Sequence, residues 1–407
     1  MIYKVLIFLL IFSVEVIYAE TIFSSKDIDK INGVQIFVLD KEYEKDLDGF
    51  FKKLSEKGIN TVFFRAFHNE KDRPHLNATL NCSSGVYFKT DHACVVNDML
   101  PKIIHYGHKY NMKVYGWMAT RSLSFLKTED NMSLSLNPNG GNSIGYGANI
   151  FKENVRNSIL NLFRDLAKTN VDGILFQDDF ILKYNEGSDK FASELFEKET
   201  GISVKQENFF GNIKQYNNKL VFSKYTDLFY LWASWKTIHL ANLFKEIKFA
   251  VKSINPKIKI AANVYYETPM DDKAAVSWYS QNLNVLKKAG ADYYAIMGYV
   301  EQIQSEKKLD FYEALQYIGR IVKNAIKVME KDKGVIIKLQ SKSFKDGSHL
   351  SKIEYHQLCN EIKKNGNVSF VVVPVNKLED VYTCNDILID LDRDVEFNNA
   401  EVLIPEN

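Results

Sequence analysis

From residue 34 onward the chain alternates two textures. Short apolar runs rich in Val, Ile, Phe and Tyr are followed by longer stretches whose apolar residues recur every three or four positions. This is the signature of strands and amphipathic helices in repeated βα units. The strands read at 34–40, 61–67, 113–119, 173–179, 259–265, 293–299, 335–341 and 369–376, and helical period is clearest over 154–168, 272–289 and 310–331. Glycine turns such as Lys57-Gly58-Ile59-Asn60, Ala289-Gly290-Ala291-Asp292 and Asn365-Gly366-Asn367 end a helix and return the chain to the sheet. Eight strands with intervening helices predict an α/β fold, a closed (β/α)8 TIM barrel over 34–376. Its functional groups belong at the C-terminal ends of the strands and in the loops that follow. An open doubly wound sheet is the alternative for the same element order.

Three connections are longer than the usual two to six residues: 68–96, 120–150 and 184–225. All follow strand ends on the expected catalytic face. The second holds Asn137-Pro138-Asn139-Gly140-Gly141-Asn142-Ser143, a composition that suits a mobile lid or a plain surface loop. Residues 377–407 are acidic and irregular and are expected to pack along the barrel exterior.

Composition narrows the classes. Hydrophobic residues make up 46% of the 407 positions, enough for a large core, and 52 basic against 51 acidic side chains leave almost no net field. Nucleic acid is therefore not an expected partner. Residues 1–19 have the layout of a signal peptide, with Lys4, an apolar run from Val5 to Val14 and Ala19 before Glu20. Glu15 interrupts the run, so no stable membrane span is expected after cleavage, although an uncleaved anchor is the alternative. The mature chain is expected to start near Glu20, with 20–33 as an N-terminal extension and a secreted or periplasmic location. Cys82, Cys94, Cys359 and Cys384 fit an exported protein with two disulfides. Three pairings exist, and proximity favours Cys82 with Cys94 and Cys359 with Cys384. Asn77, Asn81, Asn131 and Asn367 begin glycosylation sequons, which matter only in a eukaryotic secretory route.

The strand ends supply a carboxylate-rich, aromatic-rimmed set: Asp40, Arg65, Phe67, Trp117, Asp178, Asp179, Asn263, Tyr265, Tyr299, Glu301 and Gln340, with His92 in the first long loop. Glycosidic cleavage needs one carboxyl group to protonate the leaving oxygen and a second group to attack or stabilise the oxocarbenium-like centre, and sugar faces pack on aromatic rings. The segment from Val171 to Asp179 is the most informative, because an apolar strand ends in two adjacent carboxylates. Side chains alternate along a strand, so only one of the pair faces the axis if pleating persists, and Asp178 shares a face with Ile174 and Phe176. Either aspartate could instead cap the next helix or pair with Arg65. Asp178, Asp179 and Glu301 are the catalytic candidates and the others the substrate-binding ones. No metal or other cofactor is expected: His105 and His108 read as a helix-surface pair, while Trp232 and Trp235 read as core.

Phe176-Gln177-Asp178-Asp179 after an Asp-Gly pair, Tyr115-Gly116-Trp117-Met118, Trp235-Lys236, Ala262-Asn263-Val264-Tyr265, the Ala295-Ile296-Met297 strand running on to Glu301, and Leu339-Gln340 together resemble the C-terminal hydrolase domain of PgaB-type proteins, glycoside hydrolase family 153. The resemblance runs from about Val34 to Asn376. It implies a (β/α)8 glycosidase acting on poly-β-1,6-N-acetyl-D-glucosamine or its partially de-N-acetylated form, a biofilm polymer, with Asp178 at the key acidic position. An amino-sugar polysaccharide is then the partner, with export or biofilm machinery a further one. Two departures stand out. No deacetylase domain is expected before the barrel, and Pro374-Val375-Asn376 replaces a Pro-Asp ending, a lost carboxylate that favours the alternative of a catalytically weak polysaccharide-binding or export module. The fourth strand also faintly resembles that of family 18 chitinases, where the substrate's acetamido group is the nucleophile, but Leu175 and Gln177 occupy that motif's intermediate acidic positions.

Overall fold

The computed structural model describes residues 28–75, 81–216 and 219–384. The leader, the cut near Glu20, the Asn77 sequon, most of the N-terminal extension and residues 385–407 lie outside them. Eight parallel strands close into a barrel in sequence order: β1 (Asn32–Ile36), β2 (Thr61–Arg65), β3 (Lys113–Met118), β4 (Gly173–Phe176), β5 (Lys259–Val264), β6 (Tyr293–Met297), β7 (Val335–Gln340) and β8 (Ser369–Val375). β1 closes the ring, pairing Gly33 with Thr61 on one side and Asn32 with Phe370 on the other. The principal outer helices are α1 (Leu47–Glu56), α2 (Leu100–Lys109), α3 (Glu153–Ala167), α4 (Asp227–Ile254), α5 (Asp272–Tyr279), α6 (Leu283–Ala289), α7 (Val300–Lys307), α8 (Phe311–Met329) and α9 (Lys352–Asn365). No helix among the described residues is long and apolar enough to cross a membrane.

All eight expected strands form, and all stop before their expected ends. β1 shows the reason: its register against β8 shifts between Val34 and Ile36, so the chain leaves the sheet early and Asp40 becomes the residue before a short helix. The period-2 pattern then sorts side chains into two layers. Phe63, Tyr115, Leu175, Ala261, Tyr293, Ala295, Ile336 and Val371 fill the barrel interior, large rings against small alanines. Their strand neighbours, such as Val62, Phe64, Val114, Ile174, Ile260 and Ile337, pack outward against the helices. Gly173, the glycine of the Asp-Gly pair, sits where a Cβ would meet the Tyr115 ring at 2.1 Å, so a side chain there would push the ring out of the interior layer.

The helix expected over 272–289 is two helices. Ser280 takes a left-handed conformation (φ 54), its hydroxyl donating to the Leu182 carbonyl, and Asn282 caps the second helix by accepting from the Val285 N–H. The break turns Gln281 inward, where its amide bridges the Tyr265 N–H, the Thr268 hydroxyl and the Asn263 carbonyl. By contrast α8 begins with a full capping box between Asp310 and Glu313 and matches the expected helix closely.

Both disulfides favoured by proximity form, Cys82 with Cys94 and Cys359 with Cys384, as suits a protein of an oxidising compartment. The second ties α9 to residues 377–384, where the buried Asp380 carboxylate accepts from the Asn376 and Lys377 N–H groups and from Lys342. Replacing Cys359 and Cys384 with alanine should therefore destabilise the chain by about 3 kcal/mol, since the bond closes a loop of 25 residues. A denaturant titration should show an earlier midpoint; an unchanged midpoint would mean that this tie contributes nothing.

Candidate active site

Strand β4 ends at Phe176, two residues before the aspartates, and that early end decides their roles. The chain turns over residues 177–179, so strict alternation no longer applies. Asp179 swings into the loop after β3 and is fully buried. There its carboxylate accepts from the backbone N–H groups of Thr120 (2.9 Å), Arg121 (2.7 Å) and Ser122 (2.6 Å) and from the Thr120 hydroxyl (2.9 Å). It is a latch between two strand ends, and Arg65, the partner weighed for either aspartate, instead reaches Asp72 at 4.0 Å and the Arg73 carbonyl.

Asp178 takes the opposite course. Its side chain is open to solvent at the strand's C-terminal end and crowded by protein on its remaining sides. That crowding, and then the Asp179 carboxylate, raise its pKa above the ordinary aspartate value, while the Lys338 ammonium pulls the other way. Tyr146, Tyr265 and Tyr299 feel its charge in turn, and each phenol is held neutral to well above its usual range, first by burial. A carboxyl of raised pKa among neutral phenols at a barrel mouth is the arrangement a general acid needs.

Beneath it, the upper interior layer is polar. Lys338, 2% exposed in mid-β7, donates to the Asn263 side chain at 3.3 Å, and burial lowers its pKa to about 8. With its amide turned over, Asn263 gives up that bond and instead accepts from the Asp178 N–H at 3.3 Å and donates to the Ala295 carbonyl at 3.0 Å. Gln340 donates to Glu301 at 2.7 Å, orienting that carboxylate in the first turn of α7. Gln35, the Trp117 Nε1 and the Gln340 Oε1 are buried polar groups without a protein partner, so this layer retains hydrogen-bonding capacity for water or ligand. The Trp117 ring packs against Phe37 at 4.6 Å between centroids.

The walls come from the long loops. The 120–150 connection is a paired hairpin, Met132–Leu136 with Asn142–Ala148, carrying Tyr146. A fully buried ion pair, Arg121 with Glu186 at 2.9 Å, clamps it to the loop after β4. Glu186 accepts as well from Ser133 and the N–H groups of Tyr146 (2.9 Å) and Lys183 (2.7 Å), and Arg121 and these donors hold its pKa down at about 2. Lys236 of α4, wholly buried and lowered to about 7 by burial, supports the same loop by donating to the Lys183 and Tyr184 carbonyls at 2.8 Å. On this side Tyr265 stacks on Tyr279 at 4.1 Å, and the half-exposed Trp278 meets Tyr184 at 5.1 Å. Opposite, the exposed Phe344 stands edge-on to Tyr299 at 5.0 Å.

Two expected ligand contacts fall elsewhere. Phe67 is fully buried: after Arg65 the chain leaves the sheet, pairs Phe67 with Val86 in a small hairpin and turns the ring into the outer core beside Phe125. His92 lies on the barrel's flank, 3.9 Å from Asp165 near the C-terminal end of α3, which is the end remote from the strand C-termini. Asp40 sits at the rim and pairs with Arg73 at 3.6 Å. His108 bonds Asp172 at 2.8 Å at the foot of the barrel, and Trp232 and Trp235 are core. The sequence reading missed Lys338, whose signal was a single charge inside the apolar run Val335-Ile336-Ile337-Lys338-Leu339, and missed Tyr146, Asp72 and Trp278, which are supplied by loops and a helix end.

The fold is similar to that of the PgaB (BpsB) glycoside hydrolase domain from Bordetella bronchiseptica, with a TM-score of 0.66 and 16% identity over 93% of this chain and 100% of that one. It is also similar to the β-galactosidases of Rahnella sp. R3 (TM-score 0.57, 10% identity, 86% of this chain) and the Antarctic haloarchaeon Halorubrum lacusprofundi (0.55, 8%, 84%). The match spans 51% and 52% of those two chains. Identities this low speak for the shared barrel alone. No curated protein matches the sequence. The GHL13 family model matches residues 36–371, from the end of β1 into β8 and so across the C-terminal ends of β1 to β7. The chain is a glycoside hydrolase and belongs to the family described as hypothetical glycosyl hydrolase family 13.

Proposed function

We propose that the protein hydrolyses a β-linked amino-sugar polysaccharide, poly-β-1,6-N-acetyl-D-glucosamine or its partially de-N-acetylated form, after export from the cell. Asp178 is the general acid, Asp179 positions it by latching the β3 and β4 loops, and Glu301 is the second carboxyl group. The observation that carries the reading is Asp178 itself: a carboxyl with a raised pKa at the C-terminal end of a barrel strand, flanked by Tyr146, Tyr265 and Tyr299. The choice of polymer rests on the PgaB-type resemblance of the strand-end motifs, and the two disulfides suit a secreted or periplasmic location.

Glu301→Gln tests the second carboxyl. The amide still contacts Gln340 but cannot act as base or nucleophile, so turnover on a β-1,6-linked oligomer should fall about a hundredfold or more, read as initial rate of reducing-end release. Near-normal turnover would reassign that role to the substrate's own acetamido group. The one observation that favours a binding module is Asn376, which stands where a carboxylate would complete the final strand end. A wild-type protein that binds the oligomer and never cuts it would establish that reading.

A further inference from the structure

We propose that Lys338 is a positioning residue for the reaction at Asp178: a buried cation in mid-strand, held beside Asn263 and Tyr299, that serves as the acid's counter-charge. The inference deepens the proposed function and rests on Asp178 being the acid. β7 is apolar and buried along its length except where Lys338 and Gln340 turn into the barrel. An ammonium at 2% exposure costs several kcal/mol unless its surroundings compensate. Among the described residues its hydrogen bond is to Asn263, at 3.3 Å, and its charge lies 5.6 Å from the Tyr299 ring centroid. Both partners belong to the site. The Asn263 side chain lies between Lys338 and the Asp178 peptide, within 3.3 Å of each and bonding one or the other according to how its amide is turned, and Tyr299 is one of the phenols that feel the Asp178 charge. A lysine kept only to fill the interior would need neither contact, and Ile336, two residues earlier on the same face, fills its layer without a charge.

The groups facing Asp178 are Asp179 on its own turn, Asp72 from the β2 loop, Tyr146 from the hairpin, Tyr265 and Tyr299 at the ends of β5 and β6, and Lys338. Lys338 is the cation among them and opposes both carboxylates. Removing it leaves the proton on Asp178 to higher pH, so the alkaline limb of the activity profile moves upward. A neutral residue here makes Asp178 a weaker acid and so lowers kcat rather than raising KM, since proton transfer and not sugar binding is impaired.

The test is the pH dependence of kcat and KM for Lys338→Met, Lys338→Gln and Lys338→Arg on a β-1,6-linked N-acetylglucosamine oligomer, with thermal unfolding as the check on folding. The Met variant should move the alkaline limb up by about one pH unit and lower kcat about tenfold with KM nearly unchanged. Arg, which keeps the charge, should leave the limb near its wild-type position. If Met does not fold, Gln carries the same comparison. An unmoved limb in a folded neutral variant, or an equal loss at every pH, would overturn the proposal. Asp178→Asn run alongside separates the two claims. If it stays active, the reading of Asp178 falls; if it is inactive while Lys338→Met leaves the limb in place, only the role of Lys338 falls.

Discussion

Asp178→Asn should remove most of the turnover, raising the barrier by roughly 3 kcal/mol or more, a rate loss beyond a hundredfold, while oligosaccharide affinity changes little. The amide matches the carboxyl in size and can still hydrogen-bond, but it has no proton to give the leaving oxygen. In the native protein, crowding and the adjacent Asp179 raise the pKa of Asp178. A raised value keeps the acid protonated to higher pH than an ordinary aspartate, and activity should decline as pH rises through it. Asp179→Asn should act differently. The four donors from Thr120, Arg121 and Ser122 would face an amide, so the latch loosens and turnover falls less than for Asp178→Asn. Steady-state kinetics across pH, with calorimetric binding of an uncleaved oligomer, separates the two. Wild-type turnover in Asp178→Asn would mean that the acid is another residue.

The second large effect is on stability. Glu186→Gln should cost about 3–5 kcal/mol, because it leaves the guanidinium of Arg121 buried without its counter-charge. The hydrogen bonds to the Glu186 carboxylate all come from donors: Arg121, Ser133 and the N–H groups of Tyr146, Gly147 and Lys183. The NH2 of a glutamine would have to face one of them. The acid side gives a sign that can be checked. The folded pKa of Glu186 is depressed to about 2 from an ordinary 4.5, so its stabilisation is complete above about 4.5 and is lost as pH falls toward 2. Urea unfolding of the variant should show an earlier midpoint at neutral pH and a flatter acid dependence over that window. An unchanged midpoint would remove the clamp from the account. The hairpin carrying Tyr146 hangs on this pair, so the variant's KM should also rise.

The barrel was legible because β-rich apolar runs alternate with segments of helical period and several are preceded by a glycine turn, and those cues are local. The strand ends were not, since the point at which a strand leaves the sheet depends on its neighbours. Alternation alone grouped Asp178 with Ile174 and Phe176, which the barrel turns outward; the stop at Phe176 freed Asp178 from that face and sent Asp179 into the β3 loop. The same cause misplaced Phe67, whose chain departs after Arg65. The break at Ser280 had no glycine or proline to announce it and is held by tertiary bonds to the Leu182 and Phe180 carbonyls. Lys338 was visible as a charge inside an apolar run. Its meaning depended on Asn263, 75 residues away in sequence.

The most direct test of the central claim is product analysis by mass spectrometry after purified protein is incubated with β-1,6-, β-1,4- and α-1,4-linked amino-sugar oligomers, wild type beside Asp178→Asn. The account predicts shorter fragments from the β-1,6 series with wild-type protein and an intact series with the variant. A β-1,6 series left intact by wild-type protein, or cut equally well by Asp178→Asn, would contradict it.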